Sequence, residues 1–145
     1  IGSEMECELF DSEANIFGMV SEYTGLNGNI AALLVDEAQF LTKDQVFQLG
    51  RIVDVLDIPV MAYGLRSDFQ GNLFPGSAAL FALANRLVEL KTICWCGKAA
   101  NMVLRLDENG IAVKEGNQIQ IGGNESYMGV CRKHFCLGKP FPPLI

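Results

Sequence analysis

The chain has 145 residues, 50% of them hydrophobic and 19% charged, with a formal net charge of −6 at pH 7. That is an ordinary soluble globular composition, long enough for one domain or for one domain plus a small appendage. The acidic balance excludes a partner held through its phosphate backbone, so no nucleic acid is expected. No apolar run approaches ~18 residues and no signal-peptide pattern opens the chain, so no membrane is expected and the default location is cytoplasmic.

The first residues, Ile1-Gly2-Ser3, carry no initiator Met and read as the interior of a longer gene product. The spacing predicts a helix over 12–23, capped by Ser12, with Ile16, Phe17, Met19 and Val20 on its apolar face. Asn27-Gly28-Asn29 makes a turn. Ala31-Ala32-Leu33-Leu34-Val35 is continuous and apolar, as in a strand buried on both faces of a parallel sheet, and it runs into Asp36 and Glu37. Thr42 and Gln45 form a capping box for a helix whose Val46, Leu49, Ile52, Val53 and Leu56 fall on one stripe. Asp57 and Pro59 end that helix, and residues 60–65 form a second apolar strand. Strand, helix and strand at these lengths make a right-handed βαβ unit with parallel strands.

Residues 66–76 are polar but carry Phe69, Leu73 and Phe74, which either line a pocket beyond the strand end or plug the core beneath it. A further helix is expected over 77–89, with Leu80, Phe81, Leu83, Ala84, Leu87 and Val88 on a broad apolar face, and a short strand over 90–93. From Cys94 onward the texture becomes β-rich. Residues 102–106 and 111–113 flank Glu108-Asn109-Gly110, a hairpin signal, and residues 118–121 alternate once more. This last third reads as a small appendage without helices, ending in an extended proline-rich tail over 140–143.

Two constellations carry chemistry. The cysteines are Cys7, Cys94, Cys96, Cys131 and Cys136, an odd number with four in the last third, which suits a metal site better than a disulfide framework. Cys94-Trp95-Cys96 precedes the hairpin and Cys131-Arg132-Lys133-His134 follows it. Paired ligands on either side of a hairpin are the usual build of a structural Zn2+ site, here Cys94, Cys96, Cys131 and His134, with Cys136 as a rival fourth ligand. The bland alternative is inert cysteines and a surface histidine. Four protein ligands leave no open position, so such an ion would hold together an appendage too small for its own core. The second constellation is Asp36-Glu37. An Asp at a strand's carboxyl end can hold Mg2+, and a neighbouring Glu can act as general base; equally, two acids can simply be solvated. No G-x-x-x-x-G-K-[ST] occurs in these residues to cradle a phosphate.

Three motifs lie in order along the chain: residues 34–41 (LVDEAQFL), residues 63–69 (YGLRSDF), and residues 121–127 (IGGNESY) leading to Cys131-Arg132-Lys133-His134. Together they resemble the cellular and bacterial type of thymidine kinase. The Cys94-x-Cys96 and Cys131-x-x-His134 spacing is similar to that of the bacterial branch, whereas other relatives often use C-x-x-C pairs.

The resemblance implies an α/β fold, a P-loop-kinase-like parallel sheet with helices over residues 1–91, plus a small zinc-stabilised β-rich lasso domain over 92–145. It implies phosphoryl transfer from ATP to the 5′-hydroxyl of thymidine, giving dTMP for deoxynucleotide salvage and DNA synthesis. Glu37 would be the catalytic base, with Asp36 and Gln39 on the magnesium and ATP side. The thymidine pocket would draw on Phe40, Leu65, Phe69 and Tyr127, closed by a lasso over 115–127 with Gln118 and Gln120 contributing main-chain contacts. Family members are usually homotetramers with dTTP as feedback inhibitor. The family's first strand and P-loop would precede Ile1, so this chain is expected to be a fragment without activity of its own. The alternative is a non-catalytic zinc-stabilised nucleoside- or nucleotide-binding module.

Overall fold

The computed structural model describes residues 6–118 and 126–142. Its first part is organised by the helix α2 (Lys43–Leu56), whose start is set by its sequence. The Thr42 hydroxyl accepts from the Gln45 amide at 3.2 Å and the Gln45 carboxamide accepts from the Thr42 amide at 3.0 Å, closing the expected capping box. Gln45 is nearly fully buried because its amide nitrogen also donates to the Asp11 carbonyl at 2.7 Å, tying the preceding segment to the helix. Val46, Leu49 and Ile52 are buried along one stripe, each contributing about 1.5–3 kcal/mol by removal from water. Val53 falls on that stripe by spacing but is exposed, near the helix's C-terminal end.

The helix α1 (Ile16–Asn27) packs on α2 through Ile16 and Val20, which join the same core cluster as Val35, Leu41 and Ile58. It begins four residues later than expected. Asn15, not Ser12, is the cap, its side chain accepting from the Gly18 amide at 3.0 Å, while Asp11 closes a separate turn onto the Glu13 amide. Gly28, at φ 85°, ends the helix by donating to the Thr24 carbonyl.

Strands β1 (Leu33–Val35) and β2 (Val60–Ala62) pair in parallel, with α2 as the crossover between them. The expectation of a strand buried on both faces is corrected. Val35 is buried, but Leu34 and its neighbour Met61 are 52% and 45% exposed, because the described residues cover only one face of this pair. After β1 the chain makes a 3₁₀ turn over Ala38–Phe40, and α3 (Pro75–Leu83) packs against it. Pro75 sits at the first helical positions, where a missing N–H costs nothing. The helix ends at Leu83 and not at 89, and residues 90–93 form no strand beyond an isolated bridge from Ile93 to Ala99. Leu87, Val88 and Leu90 are exposed; with no surface among the described residues to pack on, apolar spacing alone does not sustain a helix.

The last third forms an antiparallel sheet in the order β4-β3-β5, from β3 (Met102–Leu106), β4 (Ala112–Val113) and β5 (Tyr127–Val130). The Asn-Gly hairpin is present. Gly110 takes φ 74°, and the Asp107 carboxylate accepts from the Asn109 and Ile111 amides. A short helix, α4 (Arg132–Leu137), follows, so the appendage is not free of helices; Gly138 at φ 61° closes it. Cys94, Leu104, Val130 and Cys131 make a second, smaller buried cluster. The expected strand over 118–121 and the tail at 143 fall largely outside the described residues.

The tightest packing is at Gly76. A methyl there would lie 2.8 Å from the Gln39 carbonyl and 2.9 Å from the Leu41 carbonyl, and closer still to that of Ala38. Helix α3 can approach the 38–41 turn only because position 76 lacks a side chain. Gly76→Ala is expected to destabilise the fold by about 1–3 kcal/mol, measured by chemical denaturation. The same substitution at exposed Gly25, which has nothing within 4 Å, should be neutral or mildly stabilising.

Candidate functional site

The end of β1 delivers its acids through a strained turn. Glu37 adopts φ 50° and ψ 35°, the left-handed region, at a cost of about 1–3 kcal/mol for a residue with a side chain. Surrounding bonds hold it there. Its amide donates to the Asp36 carboxylate at 2.8 Å, and the next amide, of Ala38, donates to the Tyr63 carbonyl at 2.8 Å. Gln39, 1% exposed, spans the site: its carboxamide nitrogen donates to the Glu37 carboxylate and its oxygen accepts from the Leu65 amide at 3.0 Å. One glutamine thus fixes Glu37 relative to the segment after β2. A methyl at Gly64 would strike the Gln39 carboxamide oxygen and lie 2.9 Å from its backbone nitrogen, so glycine is required for that close approach.

Leu65 and the loop after it are pinned by buried polar groups. The Ser77 hydroxyl donates to the Leu65 carbonyl at 2.6 Å. Asp68, 3% exposed, accepts from the Gln70 and Asn72 amides at 2.9 and 2.8 Å with one oxygen and from the Gln118 side chain at 2.9 Å with the other. Both readings of the loop aromatics hold together. Phe69 and Phe74 are buried, and both also line the cavity, with Phe40 meeting Phe74 edge to face at 5.8 Å.

That cavity measures about 550 Å³, within the range of small-molecule sites. Asp36, Glu37, Gln39, Phe40, Leu65, Phe69, Gln118 and Tyr127 all line it, so it gathers expected site residues from three separate stretches of chain. Gln120 lies outside the described residues. Asp68, Val103 and Met128 line the cavity too and were not singled out from sequence. Asp68 had a local signal, since an Asp three residues before Gly71, itself at φ 87°, marks a side-chain-closed turn. Val103 and Met128 had none beyond strand alternation. A second depression, of about 450 Å³ and lined by Leu9, Phe10, Asp11, Ala14 and Met19, shares none of these residues.

In the last third, Cys94, Cys96, Cys131 and His134 place their ligand atoms within 4.8 Å of one another. Cys96 and Cys131 sulfurs are 3.8 Å apart, and His134 Nδ1 lies 3.3 and 3.5 Å from the sulfurs of Cys94 and Cys131. A tetrahedral ion with bonds of about 2.3 Å to sulfur and about 2.0 Å to nitrogen sets sulfur–sulfur edges of about 3.8 Å and sulfur–nitrogen edges of about 3.5 Å. The group therefore fits a metal ion of that geometry. Cys136, the rival ligand, is exposed and outside it.

Burial alone would push the Cys94 thiol up. The Cys96 main chain, the His134 ring and the remaining thiol-side contacts outweigh that and pull it from 9.0 down to about 6. It is then largely thiolate at neutral pH, the form a metal takes. Cys96 is raised; the Lys98 main chain favours its thiolate, but burial and the neighbouring Cys94 and Cys131 sulfurs prevail. Trp95 stacks on the His134 ring at 4.0 Å and donates to the Lys139 carbonyl, fixing the imidazole plane from one side.

The family model of thymidine kinase matches residues 2–135. The chain is 54% identical over 135 residues to a thymidine kinase of Ruegeria pomeroyi, covering 93% of this chain and 68% of that protein. It is 56% identical over 135 residues to one of Shewanella oneidensis, covering 93% and 70%. With one of Aliivibrio fischeri the identity is 52% over 141 residues, covering 96% and 73%. A match over nearly the whole chain, at such identities, leaves one conclusion: the chain belongs to the thymidine kinase family, a family of phosphotransferases.

Proposed function

We propose that this chain carries the thymidine site and the catalytic base for phosphoryl transfer from ATP to the 5′-hydroxyl of thymidine. The observation that supports this reading best is the single cavity. Two acids on a strand end, aromatic and aliphatic walls from the 65–74 loop, and Gln118 with Tyr127 from the last third converge on a space of nucleoside size.

Glu37 takes the proton of the 5′-hydroxyl as that oxygen attacks the γ-phosphorus; the new O–P bond forms while the bond to the ADP oxygen breaks. Gln39 fixes the carboxylate during this step by holding one of its oxygens. Asp36, with one oxygen occupied by the Glu37 amide, offers a carboxylate to Mg2+. That ion, when bound with ATP, would neutralise charge on the phosphates. Phe40, Leu65, Phe69 and Tyr127 surround the nucleoside and exclude water. Gln118 contributes polar contacts from residues 115–127, the lasso, of which Gln120 is also a part.

The Cys94, Cys96, Cys131 and His134 group holds a structural Zn2+, which stabilises a cluster too small to stand on hydrophobic burial alone. On the strength of the family resemblance, the working assembly is a cytoplasmic homotetramer with dTTP as feedback inhibitor.

Titration calorimetry with thymidine tests the site directly; binding with a Kd of about 1 mM or tighter is expected, and no heat at that concentration would overturn the reading. On protein competent for ATP turnover, Glu37→Gln should keep thymidine affinity near wild type and lower turnover by about 10²-fold or more. Turnover retained in that variant would remove Glu37 from the role of base. Metal analysis should return about one zinc per chain, and Cys131→Ser should release it and lower the melting temperature. A metal-free protein with an unchanged melting curve would contradict the zinc assignment.

A further inference from the structure

Arg105 is buried at 6% exposure in the middle of the three-stranded sheet, on β3, with Val113 beside it on one side and Tyr127 on the other. Its guanidinium lies over the Phe69 ring at 3.8 Å. The same group donates through Nη1 to the Asn117 carbonyl at 2.9 Å and through Nη2 to the Glu115 carbonyl at 3.2 Å. Between those two carbonyls stands Gly116, at φ +136°, where an added methyl would collide with Nη2. Phe69, Tyr127 and Gln118 line the cavity, and Arg105 does not.

We infer that Arg105 is a positioning residue for nucleoside binding, fastening residues 115–118 to the Phe69 ring so that Gln118 and the ring face the cavity together. The inference rests on reading that cavity as the thymidine site. The chemistry calls for arginine in particular. A guanidinium is planar, so its face can lie over a ring while its edge donates to two carbonyls. A lysine keeps the charge but supplies one compact ammonium, which cannot stack and bridge two carbonyls at once. Gln118 is steered from the other side by Asp68, whose carboxylate accepts from it at 2.9 Å. The segment is thus held at two successive points: its carbonyls by Arg105, and its side chain by Asp68.

The test compares the wild-type chain with Arg105→Lys, Arg105→Met and Gly116→Ala. Two quantities are read: hydrogen exchange of the 115–118 amides without ligand, and thymidine affinity by calorimetry. All three variants should exchange about tenfold faster over 115–118 and bind thymidine about tenfold more weakly, the scale of one lost cation–ring contact with its hydrogen bonds. Zinc content and exchange at the 107–110 turn should stay at wild-type values, which a general loosening of the sheet would not allow. Full rescue by lysine, or wild-type exchange over 115–118 in all variants, would overturn the inference. So would weaker thymidine binding without faster exchange, or faster exchange without weaker binding. If Arg105→Met loses zinc and unfolds, the lysine and Gly116→Ala variants decide. A wild-type chain that binds no thymidine would instead overturn the proposed function, while the exchange arm still reports whether Arg105 holds the segment.

Discussion

The arrangement of the carboxylates depends on a backbone-to-backbone approach that glycine alone permits. The 38–41 turn is clamped between Gly64, on the segment leaving β2, and Gly76, in the first turn of α3. Neither contact tolerates a methyl without displacing main-chain atoms, which have little room to yield in a packed interior. Because the turn is fixed from two directions, Glu37 can be held in a left-handed conformation that it would otherwise leave. Gln39 then converts backbone geometry into side-chain geometry, with one end of its carboxamide on Leu65 and the other on Glu37. Strain at an acid that faces a cavity is the pattern expected where orientation matters more than local stability.

A second dependence runs across the molecule. The first core gathers residues from 16 to 58 and the second is built around Cys94, Leu104, Val130 and Cys131. The cavity belongs to neither core; it lies along their seam. The 65–74 loop makes that seam, since Arg66 donates to the Asn101 carbonyl, Gln70 to the Lys114 carbonyl, and Asp68 receives Gln118. Of these, the Asp68–Gln118 contact is the buried one; such a bond adds little net stability, but leaving the Asp68 carboxylate unmatched would be costly, so it favours this arrangement. The Cys94, Cys96, Cys131 and His134 group lies beyond the other end of β5 from Tyr127, where it brings the 94–96 segment to the junction of β5 and α4.

Local signals in the sequence were reliable where a short stretch determines its own geometry. The Thr42–Gln45 capping box, the Asn109-Gly110 hairpin, the parallel pairing of residues 33–35 with 60–62 and the Cys/His spacing are all read from neighbours in sequence. What escaped depends on partners far along the chain. Leu34 looks like a core residue until one asks what covers its face. Residues 84–90 have the spacing of a helix, but their apolar side chains stay exposed among the described residues. Helix α4 is only six residues long, too short for periodicity to reveal, and exists because Cys131 and His134 must turn toward the same point. For the cavity the division is similar. The acids and aromatics stand out by type, whereas Val103, Met128 and Asp68 enter only through the register of the sheet and the closure of a turn.

These two dependences explain why acids, aromatics and metal ligands are spread over a hundred residues of chain yet act as one unit. Phosphoryl transfer asks for little covalent chemistry from a protein and much positioning: a base within reach of a hydroxyl, a nucleoside held still, and water kept away. Glu37, the base of the proposed reading, stands on a strained but clamped turn. For the second, the Phe69 ring on the cavity wall is backed by the buried Arg105 guanidinium, which also holds the Glu115 and Asn117 carbonyls. Towards the third, Gln118 beyond β4 and Tyr127 and Met128 on β5 bring the last third of the chain to the cavity wall. The small last third is therefore one wall of the cavity, through Val103, Gln118, Tyr127 and Met128, with the Cys94, Cys96, Cys131 and His134 group beyond the end of β5.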